Sequence, residues 1–250
     1  MGIIGGQLGY YLLHSSQRLL EGCAPTLDSS AYKDCSKLEV LLGPNIWSRI
    51  QGKTVIDFGC GTGGETVEMA LRGAEVIGID IVDCHLTEAR KLAEQAGVAD
   101  HCMFTRKTER KADVVISVDA FEHYEDPLAV LKQMAGLLKS EGKVIAAFGP
   151  TWYHPLGGHL FSVFPWSHLI FTERALIRWR SDFKTDKATK FSEVEGGLNQ
   201  MTIRRFTEIV AQSPFTIEEF ELVPIKRLKP FANRLTREFT TAIVRCRLTL

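Results

Sequence analysis

Net charge is what this sequence lacks first: 30 Lys plus Arg are matched by 30 Asp plus Glu. With no global field to draw the chain toward nucleic acid or an acidic membrane surface, a polyanionic partner is disfavoured. Closely paired cysteines are missing too. The six cysteines (Cys23, Cys35, Cys60, Cys84, Cys102 and Cys246) are scattered without the spacing of a zinc site or a disulfide framework. That argues against a disulfide-rich secreted domain and predicts free thiols in a reducing compartment. No apolar run approaches the roughly 18 residues that a membrane span needs. The Met-Gly-Ile-Ile-Gly-Gly start has no basic n-region, and Gly6 stands where a myristoylation signal wants Ser or Thr. The expectation is a cytoplasmic chain without a membrane span. Internal repeats and low-complexity tracts are also absent.

What is present is ordinary globular material, 250 residues with 45% hydrophobic and 24% charged side chains. A chain of this length is close to the ceiling for one core, so one domain carrying an insertion is expected. Residues 1–50 hold an amphipathic stretch (Tyr10, Tyr11, Leu12, Leu19, Leu20) and an apolar cluster around Leu38, Leu41, Ile46 and Trp47, with a polar segment over 28–33 between them. They read as an N-terminal helical cap. From Lys53 short apolar runs alternate with helix-period stretches, the pattern of βαβ units and a parallel sheet. It predicts strands over 54–58, 75–80, 102–105, 113–118 and 143–148, and helices over 65–71, 86–95 and 127–138. After Gly149-Pro150 the alternation stops for about fifty residues rich in Trp, His and Phe, too long for a mere connection. It resumes with a helix capped by Thr202, a strand over 216–223 and a last strand over 239–248, the two strands forming an antiparallel edge pair. The expected divisions are a cap over 1–50, a core over 51–150, a lid over 151–200 and completion of the core sheet over 201–250. Basic residues crowd near the C-terminus, at Lys226, Arg227, Lys229, Arg234, Arg237, Arg245 and Arg247, with Glu238 the main counterweight, and read as a solvated edge.

The strongest signal is Asp57-Phe58-Gly59-Cys60-Gly61-Thr62-Gly63, a strand that runs into glycines and then into a helix. Glycine is needed where the backbone turns with positive φ or lets a ligand approach closely. About twenty residues later Asp80 ends the next strand, where a carboxylate grips ribose hydroxyls. A pyrophosphate site has no acid just ahead of its glycines, whereas Asp57 stands there, which suits a cation. S-adenosylmethionine carries a sulfonium and an ammonium group and no phosphate.

These residues resemble the first motif of class I S-adenosylmethionine-dependent methyltransferases, in the group that includes ubiquinone- and menaquinone-biosynthesis enzymes, and the resemblance covers residues 53–150. It implies a Rossmann-like α/β fold with seven strands, mostly parallel with an antiparallel last strand, helices on both faces and a helical, aromatic lid after strand 5. It implies S-adenosyl-L-methionine as cofactor, with Asp57 and Phe58 in its site, Gly59, Cys60, Gly61, Thr62 and Gly63 against the methionine moiety, Asp80 on the ribose, and Ile81 on adenine. The resemblance also implies that Asp119, Ala120 and Phe121 bind the cofactor, in a stretch similar to the one that lines the methyl-transfer pocket. The acid that usually follows the third strand is replaced by Thr105-Arg106-Lys107-Thr108-Glu109, leaving Thr108, Glu109 or a backbone group for the adenine amino contact. Asp119-x-x-Glu122-His123 resembles an acidic-His cluster of some quinone-pathway O-methyltransferases, but the spacing is not that of a closed zinc site and no metal is expected.

Methyl transfer is an in-line displacement that needs alignment, exclusion of water and a base when the nucleophile carries a proton. Histidine suits that role near neutral pH. His154, His159 and His123 are the catalytic candidates, and Trp152, Tyr153, Trp166 and His168 are the substrate-binding candidates, since the insertion starts at the carboxyl end of a parallel strand. The Asp-Pro-Pro-aromatic type of signature for nucleic-acid amino methylation is absent. The expected activity is O-methylation of a small molecule such as a sugar, quinone or secondary metabolite by a monomer or homodimer, with transfer to nitrogen, sulfur or carbon, or a non-catalytic scaffold, as alternatives.

Overall fold

A computed structural model describes residues 2–20, 35–194 and 196–250. The polar segment 28–33 and Cys23 lie outside the described residues. In chain order come α1 (Gly6–Leu20), α2 (Lys37–Leu42), α3 (Ile46–Ile50), β1 (Thr54–Phe58), α4 (Gly64–Leu71), β2 (Glu75–Ile79), α5 (Asp83–Gln95), β3 (Cys102–Thr105), β4 (Ala112–Val118), α6 (Pro127–Leu137) and β5 (Leu138–Phe148). The insertion contributes α7 (Ser167–Ile170) and α8 (Glu173–Arg180). The chain ends with α9 (Ile203–Ala211), β6 (Thr216–Pro224), α10 (Arg237–Thr240) and β7 (Thr241–Thr249).

The apolar runs line up as one sheet in the order β3-β2-β1-β4-β5-β7-β6. Strands β1 to β5 are mutually parallel, and β7 enters antiparallel between β5 and β6. This is the Rossmann-like arrangement expected, with the last strand as the antiparallel member. Each central strand is buried on both faces, so its residues alternate between two apolar layers instead of between core and water. Ile56, Ile77 and Val115 face a layer with Phe121, Phe148 and Phe206; Val55, Val76 and Ile116 face the other, with Leu86, Ala89 and Ile50.

Local signals set the helix starts. Asp126 caps α6 by accepting the Ala129 N–H, with Pro127 in the first turn, and Thr202 caps α9 by accepting the Arg205 N–H at 3.0 Å. The last strand begins at Thr241, because residues 237–240 form the short helix α10. Residues before β1 divide between two partners. Leu38, Ile46 and Ile50 of α2 and α3 join the core layer, whereas Leu13 of α1 is fully buried among Trp152, Phe161, Leu176 and Trp179 of the insertion. No described helix is long and apolar enough to cross a membrane.

Candidate active site

β1 feeds its chain into the glycine turn at the carboxyl end of the parallel strands. Gly59, Gly61 and Gly63 all have positive φ, at 88°, 51° and 83°. Their reasons differ. A Cβ on Gly63 would lie 2.6 Å from the Ala89 Cβ, so that glycine lets α4 pack against α5. A Cβ on Gly61 meets nothing within 4 Å, and Gly61 lines an open cleft, so a side chain there would project into the ligand space. Phe58 and Gly59 line the same cleft, Thr62 is exposed, and Cys60 is buried beneath the turn. Asp57 is buried under the turn as well, away from the cleft. Its carboxylate accepts the Thr66 hydroxyl at 2.6 Å, and burial pushes its pKa up to about 7 against that hydrogen bond. It anchors the turn to α4 and does not face a ligand's positive charge as the sequence suggested.

Opposite the glycines, Asp80 accepts the Gly61 N–H at 2.9 Å and the Val82 N–H at 2.8 Å, one on each carboxylate oxygen. The acid is thereby held across the turn with lone pairs left for a ligand. Ile81 and Val82 follow at the cleft wall, with Ile81 78% exposed, an apolar surface open to a flat ring. Arg106, Lys107, Thr108 and Glu109 close that end. The cleft has a volume of about 1170 Å³. Its shape, apolar wall and acid suit a nucleoside.

The far wall comes from the end of β4, where Asp119, Ala120, His123 and Tyr124 line the cleft. Phe121 does not. It is fully buried among Tyr124, Phe148 and Phe206, on the opposite side of the backbone. Glu122 is also buried; one carboxylate oxygen accepts the Gly149 N–H at 3.4 Å, the other has no partner, and burial raises its pKa to about 8. Burial also raises the Asp119 pKa, opposed by Lys37, whose ammonium lies 3.1 Å from Asp119 and 2.8 Å from Glu65. Lys37 itself, pulled down by burial, is nevertheless held above its ordinary range by those two acids. Lys37 and Tyr124 are functional candidates that the sequence did not reveal. Lys37 stands one residue after the Ser36 cap of α2, far in sequence from its partners, and Tyr124 simply follows the acidic-His pair.

Of the three histidines expected near the chemistry, His123 alone lines the cleft. Its Nδ1 lies 2.8 Å from the Gly197 carbonyl, which fixes Nδ1 as the protonated nitrogen. The His159 ring stands 5.3 Å away, with Nε2 buried and unpartnered, and burial lowers its pKa to about 4. His154 accepts the Leu156 N–H within its own turn and is lowered, again by burial, to about 4. His168 is buried, bonded through Nε2 to the Trp152 carbonyl at 2.7 Å, with the Trp152 ring packed beside it. Trp152 belongs to the insertion's own core. The Trp166 indole donates to the Tyr153 carbonyl, while the Tyr153 ring packs on Phe239. None of these four lines the cleft. A smaller pocket of about 260 Å³ opens instead on the other side of His123, lined by Glu173, Phe191, Asn199, Gln200 and Arg205. No group of three or more His, Cys, Asp or Glu able to hold a metal ion occurs among the described residues.

A family model described as a methyltransferase domain matches residues 30–219. A ubiquinone biosynthesis O-methyltransferase of Nitrosomonas europaea is 43% identical over 98 residues, covering 37% of this chain. The chain spans about two-fifths of the length of such relatives, 42% for this one. The fold is shared with an S-adenosylmethionine-dependent methyltransferase of Mesorhizobium loti, with a TM-score of 0.54, 16% identity and coverage of 83% of this chain and 97% of that one. It is also shared with the magnesium protoporphyrin IX methyltransferase of Synechocystis PCC 6803 with bound S-adenosylhomocysteine, with a TM-score of 0.51, 18% identity and coverage of 96% and 82%.

Proposed function

The chain belongs to the methyltransferase-domain family, and from that premise we propose that it is an S-adenosylmethionine-dependent O-methyltransferase acting on a small-molecule acceptor. The observation that carries the reading is the Gly61 N–H bonded to Asp80 across one wall of the cleft, with His123 on the other. The Nitrosomonas relative, named for O-methylation in ubiquinone biosynthesis, supports it over the stretch it shares with this chain.

When bound, the donor supplies a methyl group made electrophilic by its sulfonium. The chain's residues hold and align. Gly59 and Gly61 let the amino-acid end approach the backbone, Asp80 accepts the ribose hydroxyls, and Ile81 and Val82 cover the adenine. Lys37, between Glu65 and Asp119, pairs with the donor's carboxylate while Asp119 takes its ammonium. The acceptor enters the smaller pocket beside Phe191 and Arg205, under the segment 151–200 acting as a lid. His123 stands between the two spaces. With its Nδ1–H committed to the Gly197 carbonyl, Nε2 is the nitrogen left to take the acceptor's proton as oxygen attacks. His159, packed against that ring, positions it. The same reading places the protein in the cytoplasm, without nucleic-acid partners, as a monomer or homodimer.

Incubation with methyl-labelled donor and panels of phenolic, sugar and amine acceptors tests the activity. Label in methyl ethers supports it. Label only on amines or thiols, or donor binding without transfer to any acceptor, contradicts it.

A further inference from the structure

The basic stretch near the C-terminus is built for more than solubility. Lys226, Arg227, Lys229, Arg234 and Arg237 are all exposed, and their side chains make no ion pair or hydrogen bond with any described residue. No acid lies among residues 226–237. Glu238, the nearest, is already committed to the backbone N–H groups of Ile203 and Arg204 at the start of α9. A chain with zero net charge thus keeps a local field of five uncompensated cations, felt by any surface within a Debye length of about 8–10 Å.

Apolar tips stand among those cations. Leu235 is 92% exposed and Phe231 65%. The connection that carries them is ordered: Asn233 Oδ1 accepts the Leu235 N–H at 2.8 Å and the Thr236 N–H at 3.2 Å, and the Thr236 hydroxyl donates to the Phe231 carbonyl at 2.5 Å. Its backbone holds Leu235 outward with little order left to be gained on docking. The connection begins where β6 ends, at the carboxyl edge of the sheet, and Phe239 joins it to the insertion through Tyr153 at 5.2 Å between rings.

We infer that this connection docks on the anionic face of a lipid bilayer, with the cations on the headgroups and Phe231 and Leu235 inserted below them. A polyphosphate chain could satisfy the cations but would leave both apolar side chains wet. A charged surface with hydrocarbon beneath it covers both. The inference stands independently of the activity proposed above. It replaces the net-charge argument against an acidic surface with a local one.

Sedimentation of the whole chain with vesicles of phosphatidylcholine, alone or mixed with phosphatidylglycerol, tests it. Partition onto the mixed vesicles exceeds that onto phosphatidylcholine by more than about tenfold at low salt and falls as salt rises. Lys226→Ala with Arg227→Ala lowers partition by about twenty-fivefold, at about fivefold per cation. Phe231→Ser with Leu235→Ser lowers it by about tenfold or more at unchanged charge. Lys91→Ala with Lys132→Ala, an equal charge change on α5 and α6, leaves it unaltered. All these side chains are exposed, and thermal melts check that every variant is folded. Equal partition onto both vesicles, indifference to the Phe231 and Leu235 changes, an equal loss in the α5 and α6 variant, or preference for a single-stranded RNA homopolymer over the vesicles overturns the inference.

Discussion

The ammonium of Lys37 lies 3.1 Å from the carboxylate of Asp119, joining the first helix of the core to the end of β4 beside the cleft that Asp119 lines. The ion pair is partly buried, and a second acid, Glu65, shares the cation. Removing Lys37 leaves two carboxylates facing each other and takes away the cation proposed to meet the donor's carboxylate. Charge-assisted hydrogen bonds of this kind contribute about 1.5–3 kcal/mol. Lys37→Met therefore weakens binding of S-adenosylhomocysteine by about tenfold or more, measured by titration calorimetry. An unchanged affinity removes Lys37 from the site.

Two glycines only two residues apart in sequence separate binding from folding. Gly61→Ala abolishes donor binding while lowering stability by only the left-handed strain of about 1–2 kcal/mol. Gly63→Ala adds to that strain a contact of 2.6 Å with the Ala89 side chain, and the thermal midpoint drops further. Equal effects on binding and stability for both variants contradict this division.

His123→Ala lowers kcat by about a hundredfold, the scale of a positioned general base, with little change in donor affinity. His159→Ala, acting through the neighbouring ring, lowers kcat less and shifts the pH profile. His154→Ala, removed from both spaces, leaves turnover near the native level. Turnover that follows His154 instead of His123 reverses the assignment.

Buried groups set the dependence of stability on pH. Asp57 and Glu122 have folded pKa values of about 7 and about 8, above their unfolded values, so the stability they contribute is complete below about pH 4 and is lost as pH rises through 7 and 8. His154 and His159 are depressed to about 4, and His168 is depressed too, so their contribution is present above about pH 6.5 and is lost on acidification. The two trends oppose each other between about pH 4 and 6.5, and only the acids act above it. Chemical denaturation at a series of pH values shows stability falling from about pH 6.5 to 8, with a shallower fall in Glu122→Gln. A rise over that range contradicts the burial argument.

The glycine turn, Asp80 and the succession of strands along the chain were legible because they rest on local requirements: positive φ, a strand end, and apolar runs of fixed length. Residues whose position depends on which face of the backbone turns inward were not. Phe121 and Ala120 are neighbours, yet Ala120 lines the cleft and Phe121 fills the core. Asp57 looked like a ligand group because it precedes the glycines, but the strand's alternation buries it under them. The aromatic insertion was legible as a segment and misleading in detail. Trp152 and His168 have the composition of a binding pocket, but Trp152 belongs to the insertion's own core with His168 packed against it, and α1 docks there, which no sequence pattern revealed. Lys37 reaches the site from 82 positions before Asp119, a contact only the fold creates.

Titration calorimetry of the native chain with S-adenosylhomocysteine, beside Asp80→Ala, bears most directly on the cleft being a nucleoside donor site. The account predicts one site per chain with micromolar affinity, lost by at least about tenfold in the variant, because Asp80 holds both the turn and the ribose. No heat with that ligand or with S-adenosylmethionine, alongside binding of a nicotinamide or flavin dinucleotide, contradicts it.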